Sequence, residues 1–327
     1  MTTIKIIEQQ EISMPKFTIG CTSDKIWNIN DLLNFLISNQ NDSIKLNIEP
    51  EAICLENLGL YKLLDKFNFK QVNINTRNPL EVHSKYNILY LGSNVWFSRL
   101  SPVDTNLHAW NQKKIFYCLF GRPTASRLGL AGYLFSQHPT MSHIHFSALT
   151  GDDDLMQFEL DKLLGYRIAS IQEAGDVINK LPLLLSSPDR YTKYNGYDYS
   201  DPLTQLYQDI FVDILSESHV SGNTFFPTEK TIRPMWLKKP FIVFGSRCYL
   251  AYLRQMGFRT FNDFWSENYD GYEGRDRFVK ILKLIDSLAQ KSLVELQEMY
   301  WNMQYTLEHN YNLLLNQSYN TNITYIS

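Results

Sequence analysis

Hydrophobic and polar positions alternate along the chain between strand-like and helix-like segments. In the first third, Ser43–Glu49 (SIKLNIE), Gln71–Asn75 (QVNIN) and Ile88–Leu91 (ILYL) have the short apolar runs that are typical of strands. Between the first two runs, Ile53–Phe67 has apolar side chains at helical spacing. This strand, helix, strand order predicts a parallel sheet, and therefore a Rossmann-like arrangement in the N-terminal part of the chain.

The same alternation restarts after a polar stretch at residues 93–113, which we interpret as the crossing between two domains. We expect an N-terminal domain over residues 1–110 and a C-terminal domain with terminal helices over residues 111–327. The elements predicted in the second domain are strands at Lys114–Phe120, His143–Ala148, Ile210–Leu215 and Pro240–Gly245, and helices at Ser126–Phe135, Glu229–Leu237, Tyr249–Met256 and within Arg277–Leu314. The predicted fold class is therefore α/β, with two Rossmann-like domains.

Composition and charge narrow the classes of partner. The chain has 327 residues, of which 44% are hydrophobic and 20% charged, as expected for a folded, water-soluble protein. The formal charge of −3 gives no general attraction to nucleic acid or to an anionic membrane. The N-terminal residues lack the apolar core of a secretory signal, and runs such as Phe241–Phe244 are too short to span a membrane. The four cysteines are scattered, which favours a reduced, cytoplasmic protein.

The densest candidate for chemistry lies between Phe211 and Gly257. Neither the GxGxxG pattern nor a P-loop pattern occurs in the sequence, which argues against a standard dinucleotide or P-loop site. Instead, Thr228 is suited to cap a helix, and Glu229 in the first turn complements the helix dipole. Lys230 in the same turn is unfavourable unless an anion such as a diphosphate lies beside it. The segment therefore predicts an anion site at a helix start.

Two further residues of this helix affect the prediction. Arg233 follows Lys230 by three residues, so the two cations share a helix face. Pro234 predicts that the helix is short or irregular, because proline removes a backbone donor and clashes with the preceding turn. We include Arg233 among the candidate contacts to an anionic ligand.

The order of these segments resembles the donor-site motif of the α-1,3-fucosyltransferases. Both have a strand followed by an acidic segment, a loop, Thr228-Glu229-Lys230, a helix and a strand that ends in glycine, here Gly245. The chain is also similar to other glycosyltransferases of the GT-B type, in which two Rossmann-like domains face a cleft. The resemblance covers about the C-terminal half and is most specific at Phe225–Lys230. Because Thr231-Ile232 stands where the family has Leu-Trp, the resemblance does not imply which sugar is carried.

The resemblance implies roles for several residues. Glu229 would hold the ribose of a nucleotide, and Lys230 its diphosphate. Ser216-Glu217-Ser218 occupies the place of the family's Phe-Glu-Asn-Ser, which makes Glu217 a candidate for contact with the ribose or the base. The alternative is that Glu217 only caps a loop. The segment LFGRPTASR is similar to a strand, loop and arginine segment of the family, which offers Arg122 or Arg127 as a second phosphate contact. For both arginines, surface or interdomain ion pairs are the alternative.

Metal binding is a competing interpretation at two places. Asp152-Asp153-Asp154 could be a DxD motif that holds a divalent ion, although an acidic run of this kind is usually solvated. His143 and His145 lie two residues apart on a predicted strand and could bind zinc, but no further ligand follows at metal spacing. Transferases with two Rossmann-like domains do not need a metal under the donor. We therefore expect a site with no metal and no cofactor.

A transferase that inverts the anomeric centre needs a base near the acceptor hydroxyl. The base is expected from the N-terminal domain, at the carboxyl end of a strand. Glu49, at the end of SIKLNIE, has that placement, and Glu51 and Asp104 are alternatives. An ordinary loop carboxylate is the other interpretation of all three.

The expected function is transfer of a sugar from a nucleotide-diphosphate sugar to an unknown acceptor, without a metal. The acceptor could be a glycan, a small molecule, a protein or a modified DNA base, and the charge of −3 argues against the last. The alternative from another class is a non-catalytic nucleotide-binding or scaffold protein of the same fold.

Overall fold

The computed structural model describes residues 14–21, 25–49, 52–91, 110–147, 153–167, 180–183 and 206–319. These residues form a mixed α/β protein with two four-stranded sheets, and every strand pair in both sheets is parallel. The chain divides into a first unit, residues 1–92 with 222–226, and a second unit, residues 93–221 with 227–327. The predicted crossing at residues 93–113 lies largely outside the described residues, so its boundaries stay a prediction.

The strands of the first sheet follow one another in chain order, β1-β2-β3-β4. The central strand β2 alternates buried and half-buried residues, so that Ile44, Leu46 and Ile48 point into one core with Leu32 and Leu60. The elements of this unit are β1 Lys16–Gly20, α1 Ile29–Ser38, β2 Ser43–Glu49, α2 Leu60–Leu64, β3 Gln71–Thr76 and β4 Asn87–Tyr90.

The second sheet has the order β6-β5-β7-β8, so the direction of winding reverses between β5 and β7. All residues of β7 and β8 are buried, as expected for strands of a parallel sheet that is covered on both faces. The elements of this unit are β5 Lys114–Phe120, α3 Ala125–Gln137, β6 Ser142–Phe146, α4 Asp153–Gly165, β7 Ile210–Ser216, α5 Glu229–Trp236, β8 Phe241–Phe244, α6 Tyr249–Gln255, α7 Gly274–Ala289, α8 Leu293–Asn302 and α9 Gln304–Tyr319.

Two helix contacts stabilise the second unit. Gly129 of α3 lets α7 approach closely, because a Cβ atom there would lie 2.6 Å from the ring of Phe278. The Phe278 ring also lies 5.8 Å from that of Phe244 in β8. On α5, the Trp236 ring packs on Tyr311 of α9 with ring centroids 4.8 Å apart. The terminal helices are therefore part of the core of this unit.

Most predicted elements are confirmed, and one is wrong. The predicted helix at Ile53–Phe67 exists only as α2, because Gly59 adopts a left-handed conformation with φ 74°. The Leu55 N–H donates instead to Glu81 Oε2 at 3.1 Å. The strand β1 and the helix α1 were not predicted. In the part of the chain that the structure describes, no helix is both long and apolar enough to cross a membrane.

Candidate functional site

The candidate site lies at the carboxyl ends of β5, β7 and β8, in the second unit. Ligands in open parallel sheets bind outside the carboxyl ends of the strands, where the strand order reverses. Here that position is between β5 and β7. Gly121–Thr124 follows β5, and Glu217 follows β7. The donor residues predicted in this unit, except Arg233, lie directly after these strands, in the first turn of α3 or at the start of α5.

The carboxylate of Glu217 is the centre of the site. Its Oε1 accepts hydrogen bonds from the Thr228 N–H at 3.1 Å, the Thr231 hydroxyl at 2.5 Å and the Tyr249 hydroxyl at 2.9 Å. Its Oε2 accepts from the Thr228 hydroxyl at 2.5 Å. Glu217 is buried, and its backbone N–H donates to Phe244 O at 3.0 Å. Both oxygens are therefore engaged within the protein, so Glu217 positions the start of α5 and is not counted among the ligand contacts.

The start of α5 has the predicted cap. Thr228 has an extended backbone conformation, and its Oγ1 accepts a hydrogen bond from the Lys230 N–H at 3.3 Å. The Lys230 ammonium lies 2.6 Å from Glu229 Oε1 and 3.2 Å from Thr228 Oγ1. The Glu229 and Lys230 side chains are 21% and 15% exposed, respectively. They therefore form a mostly buried ion pair rather than a solvated helix start.

This pair determines the charge state of Glu229. Burial alone raises the pKa of the Glu229 carboxyl, but the Lys230 ammonium and its hydrogen bond outweigh burial and lower that pKa below its ordinary value. Glu229 is therefore ionised at neutral pH. The two hydrogen bonds of the Lys230 ammonium use two of its three donors, which leaves one for a ligand.

The loop after β5 is attached to the end of β7. The Arg127 guanidinium donates to Arg122 O at 3.1 Å and to Ser216 O at 3.2 Å. The Ser126 and Ser216 hydroxyls lie 2.8 Å apart. Arg127 is buried, whereas the Arg122 side chain is exposed at the strand end. Of the two arginines, Arg122 is thus the one placed to reach a phosphate.

The start of α3 already has an anionic partner. The Ala125 N–H donates to Glu159 Oε2 of α4 at 2.8 Å, and Glu159 is buried. A carboxylate in this position takes the place that a ligand anion could occupy at the helix N-terminus. Any anion at the strand ends therefore depends on the start of α5 and on side-chain cations.

The loop after β8 carries a further exposed arginine, Arg247, and a second arginine, Arg277 of α7, holds this loop in place. Arg277 donates to Gly245 O at 2.6 Å and to Ser246 O, and pairs with Asp270 Oδ1 at 2.7 Å. This buried pair fixes the loop, and Arg247 within it has an exposed side chain. The signal in the sequence is a cation directly after a strand that ends in Gly-Ser, at the edge where Glu217 also lies.

Arg233 does not lie with Lys230. Its Nε donates to the Tyr207 hydroxyl at 2.5 Å, and its Nη2 lies 3.4 Å from Asp213 Oδ2 in the middle of β7. Burial raises the pKa of Asp213, and the Arg233 guanidinium opposes that shift. The helix is short, as Pro234 predicts, and Arg233 faces the sheet. We therefore leave it out of the ligand contacts.

In the first unit, Glu49 is the last residue of β2 and its side chain is exposed. It pairs in register with Gly20, which ends β1, so it lies at the carboxyl edge of a parallel sheet as expected. The alternatives Glu51 and Asp104 lie outside the described residues. Glu49 has the position that a base at a strand end requires.

The two metal interpretations gain no further ligands. Asp152 lies outside the described residues, and Asp153 begins α4. The pKa of His145 is lowered to about 4, mainly by burial and also by Arg233, which keeps this side chain neutral. Across the described ranges, no group of three His, Cys, Asp or Glu side chains is arranged to hold a metal ion.

No family model matches the chain, and no curated protein matches it. Among solved structures, it is similar to the N-terminal domain of trehalose-6-phosphate phosphatase from Candida albicans, with 10% sequence identity and a TM-score of 0.39. The match covers 84% of this chain and 65% of that chain, which is less than two thirds of its length. A likeness at this level carries no argument about activity, so the chemistry of the site rests on its own residues.

Proposed function

We propose that the chain is a glycosyltransferase that moves a sugar from a nucleotide-diphosphate sugar to an acceptor, without a metal or other cofactor. The observation that carries the proposal is the Glu217 carboxylate, which accepts two hydrogen bonds from Thr228, one from Thr231 and one from Tyr249. These bonds hold the start of α5, and with it Glu229 and Lys230, at the strand-order reversal. A parallel sheet offers its ligand site at that point. The resemblance of Thr228-Glu229-Lys230 to a donor motif supplies the identity of the ligand.

The proposed donor contacts follow from charge and exposure. Lys230 has one donor left for the diphosphate, and Arg122 and Arg247 have exposed guanidinium groups on the neighbouring loops. Departure of the nucleoside diphosphate concentrates negative charge on its phosphates, and fixed cations stabilise that charge in the transition state. Glu229 is ionised and accepts a hydrogen bond from the ribose hydroxyls in this proposal.

For the acceptor side, we propose that Glu49 is the general base. A carboxylate at the exposed end of a parallel strand can accept the proton of an acceptor hydroxyl as the sugar is transferred. In the GT-B arrangement that the resemblance implies, the two units are Rossmann-like domains that face a cleft. Acceptor binding then belongs to the first unit and donor binding to the second.

The test is calorimetric titration of the full chain with five nucleoside diphosphates (those of adenosine, guanosine, cytidine, uridine and thymidine) and with pyrophosphate. Lys230→Ala removes a charge-assisted contact of about 1.5–3 kcal/mol, so the affinity for nucleotide and pyrophosphate should fall by roughly one to two orders of magnitude. Glu229→Ala should weaken nucleotide binding but not pyrophosphate binding, because pyrophosphate has no ribose. Lys66→Ala, at an exposed residue after α2, is the matched control and should change neither.

Lys230→Ala also has a structural consequence, because it leaves the mostly buried Glu229 carboxylate without its partner. The free energy of unfolding should fall by about 1–2 kcal/mol, so binding is measured well below the melting temperature. If wild type binds a nucleotide and neither variant changes that binding, the donor site lies elsewhere. Binding without release of nucleoside diphosphate from any nucleotide-sugar would instead favour a non-catalytic nucleotide-binding protein.

A further inference from the structure

A pocket lies in the second unit, against the helix α7 and the segment that precedes it. Its volume is about 450 Å³, within the range of small-molecule sites. The buried side chains that form its apolar part are Trp265, Leu284 and Leu288. Lys280, Lys283 and Lys291 also line it. The pocket therefore combines an apolar wall with three cations.

This pocket is separate from the candidate donor site. The Trp265 ring packs on Phe261 at 5.2 Å and against Phe211 at 6.5 Å, and Phe211 is the second residue of β7. Phe261 in turn contacts Phe241, the first residue of β8, at 5.3 Å. These contacts place Trp265 near the amino ends of β7 and β8, whereas Glu217 follows the carboxyl end of β7.

None of the three lysines forms an ion pair with a carboxylate of the described residues, although Lys291 adds to the hydrogen bonds from Ser292 that lower the pKa of Glu295. No salt bridge within 4.0 Å joins any of them to a described Asp or Glu side chain, and no acidic residue lines the pocket. By contrast, the ammonium of Lys238 lies 2.7 Å from Glu308. Lys280 lies over the Tyr272 ring at 4.4 Å, which orients its stem. The pocket thus has a concentrated positive charge that an anion would complement.

Two of the three lysines, Lys280 and Lys283, share one face of α7, and Lys291 follows the end of this helix. On α7, Lys283 and Leu284 follow Lys280 by three and four residues, and Leu288 follows Leu284 by one turn. This spacing places ammonium groups beside an apolar wall, so an occupant that matches both parts has a charged end and an apolar or planar body. Inorganic phosphate matches only the charged end.

Polar side chains complete the lining of the pocket. Ser266, Asn268 and Ser287 add hydroxyl and amide groups. The Trp265 side chain is 7% exposed and its indole Nε1–H is fully enclosed, so the ring, and not the N–H, borders the pocket. Polar atoms of a ligand would bind the hydroxyl and amide groups.

We propose that this pocket binds a small phosphomonoester that carries a planar ring. The three ammonium groups hold the phosphate, and the ring lies against Trp265 and the leucines. Aromatic contact and charge neutralisation act on different parts of such a molecule, so each can be removed separately. The site does not depend on the proposed transferase activity, because it shares no residue with the donor site.

The test uses phenyl phosphate and adenosine monophosphate as probes, titrated into the full chain by calorimetry, with inorganic phosphate and adenosine as the two half-ligands. Both probes should bind with a Kd at or below about 1 mM, and each half-ligand at least 10-fold more weakly. The double variant Lys280→Ala/Lys283→Ala should weaken both probes at least 10-fold. The control double variant Lys62→Ala/Lys66→Ala, on exposed residues of the first unit, should not weaken them.

Two further variants test whether the probes occupy this pocket or the candidate donor site. Trp265→Phe replaces the indole with a smaller ring and reduces the apolar wall, so it should weaken the probes several-fold, whereas Lys230→Ala should leave them unchanged. The proposal is overturned if neither probe binds wild type, if Lys230→Ala abolishes probe binding, or if the Lys280→Ala/Lys283→Ala variant binds them as wild type does. The proposal would also be overturned if a 20-nucleotide RNA bound more tightly than either probe and its binding weakened with added salt. The lysines of the pocket would then bind a polyanion.

Discussion

The two sheets of this protein each end a central strand with a glutamate, and the two glutamates have opposite environments. Glu49 ends β2, in a sheet whose strands follow chain order, and its side chain is exposed. Glu217 follows β7, beside the point where the strand order reverses, and its buried carboxylate accepts four hydrogen bonds. The same residue type at the same kind of position is therefore exposed in one sheet and structural in the other.

The strands themselves differ in the same way. Those of the first sheet bury only apolar side chains and the neutral Asn75 and Thr76, among the residues that the structure describes. Those of the second sheet bury Asp213 and His145, with Arg233 of α5 against Asp213. Removal of one partner from a buried ion pair such as Asp213–Arg233 strongly destabilises the folded protein. We therefore expect the second sheet to be the more sensitive to substitution and to pH, and the predictions below test that difference.

The largest effect is expected from Glu217→Ala. The variant leaves the Thr228 amide and the hydroxyls of Thr228, Thr231 and Tyr249 without their acceptor in a buried place. Loss of several hydrogen bonds to a buried charge should lower the free energy of unfolding by about 4 kcal/mol. Urea denaturation followed by circular dichroism measures this change.

Glu49→Ala is the matched control for that experiment, since it removes a carboxylate from the same kind of strand end. Its side chain is exposed, so the expected change is within about 0.5 kcal/mol. Equal losses in the two variants would show that burial does not distinguish the two glutamates, and the comparison between the sheets would fail.

The second prediction concerns Glu49 as a base. Glu49→Gln keeps the shape of the side chain but cannot accept a proton, so sugar transfer, or hydrolysis of the donor by water, should slow by at least about 100-fold. Donor affinity and stability should not change. The measurement is release of nucleoside diphosphate from a nucleotide-sugar that the chain binds, with Glu56→Gln, at an exposed residue of the same unit, as control. A rate that is equal in both variants would remove Glu49 from the mechanism.

Most strands and the helices of the second unit could be predicted from the sequence. The bounds predicted for β2 and β5 are those of the structure, because their apolar runs are bordered by polar residues. The prediction of a helix over Ile53–Phe67 was wrong because of two features that hydrophobic periodicity does not show. Gly59 turns into the left-handed region, and the Leu55 N–H bonds a carboxylate that lies 26 residues further along the chain.

The site was predictable in its local part only. Thr228 as a cap, with Glu229 and Lys230 in the first turn, follows from helix chemistry within three residues. The role of Glu217 did not follow, because one of its donors, Tyr249, is 32 residues away and becomes a neighbour only when β7 and β8 pair. Arg233 was misplaced because helical spacing gives the face of a side chain but not the buried Asp213 that it meets.

The smallest expected effect is a difference in pH dependence, and it concerns His145. Burial, with a smaller contribution from the Arg233 guanidinium, lowers the pKa of His145 to about 4 in the folded protein. In the unfolded chain this pKa is about 6.5. Between these two values the unfolded chain binds a proton that the folded protein does not. The free energy of unfolding therefore falls as the pH is lowered through this window.

His145→Gln removes the titrating group and so should remove this part of the acid sensitivity. Relative to each protein's own value at pH 7, the free energy of unfolding of wild type should fall by roughly 2 kcal/mol more than that of the variant at pH 4.5.

The first unit offers a variant with the opposite effect. Burial raises the pKa of Glu81 in spite of hydrogen bonds from Tyr61, Leu55 and Asn78, so the contribution of Glu81 to stability diminishes as the pH rises. Glu81→Gln should thus increase the decrease in the free energy of unfolding between pH 7 and pH 4.5, whereas His145→Gln should reduce it. Urea denaturation of the three proteins at both pH values measures these differences. If the free energies of unfolding of wild type and His145→Gln change equally between the two pH values, His145 titrates normally. The buried ionisable groups of the second sheet would then have no consequence for stability in acid.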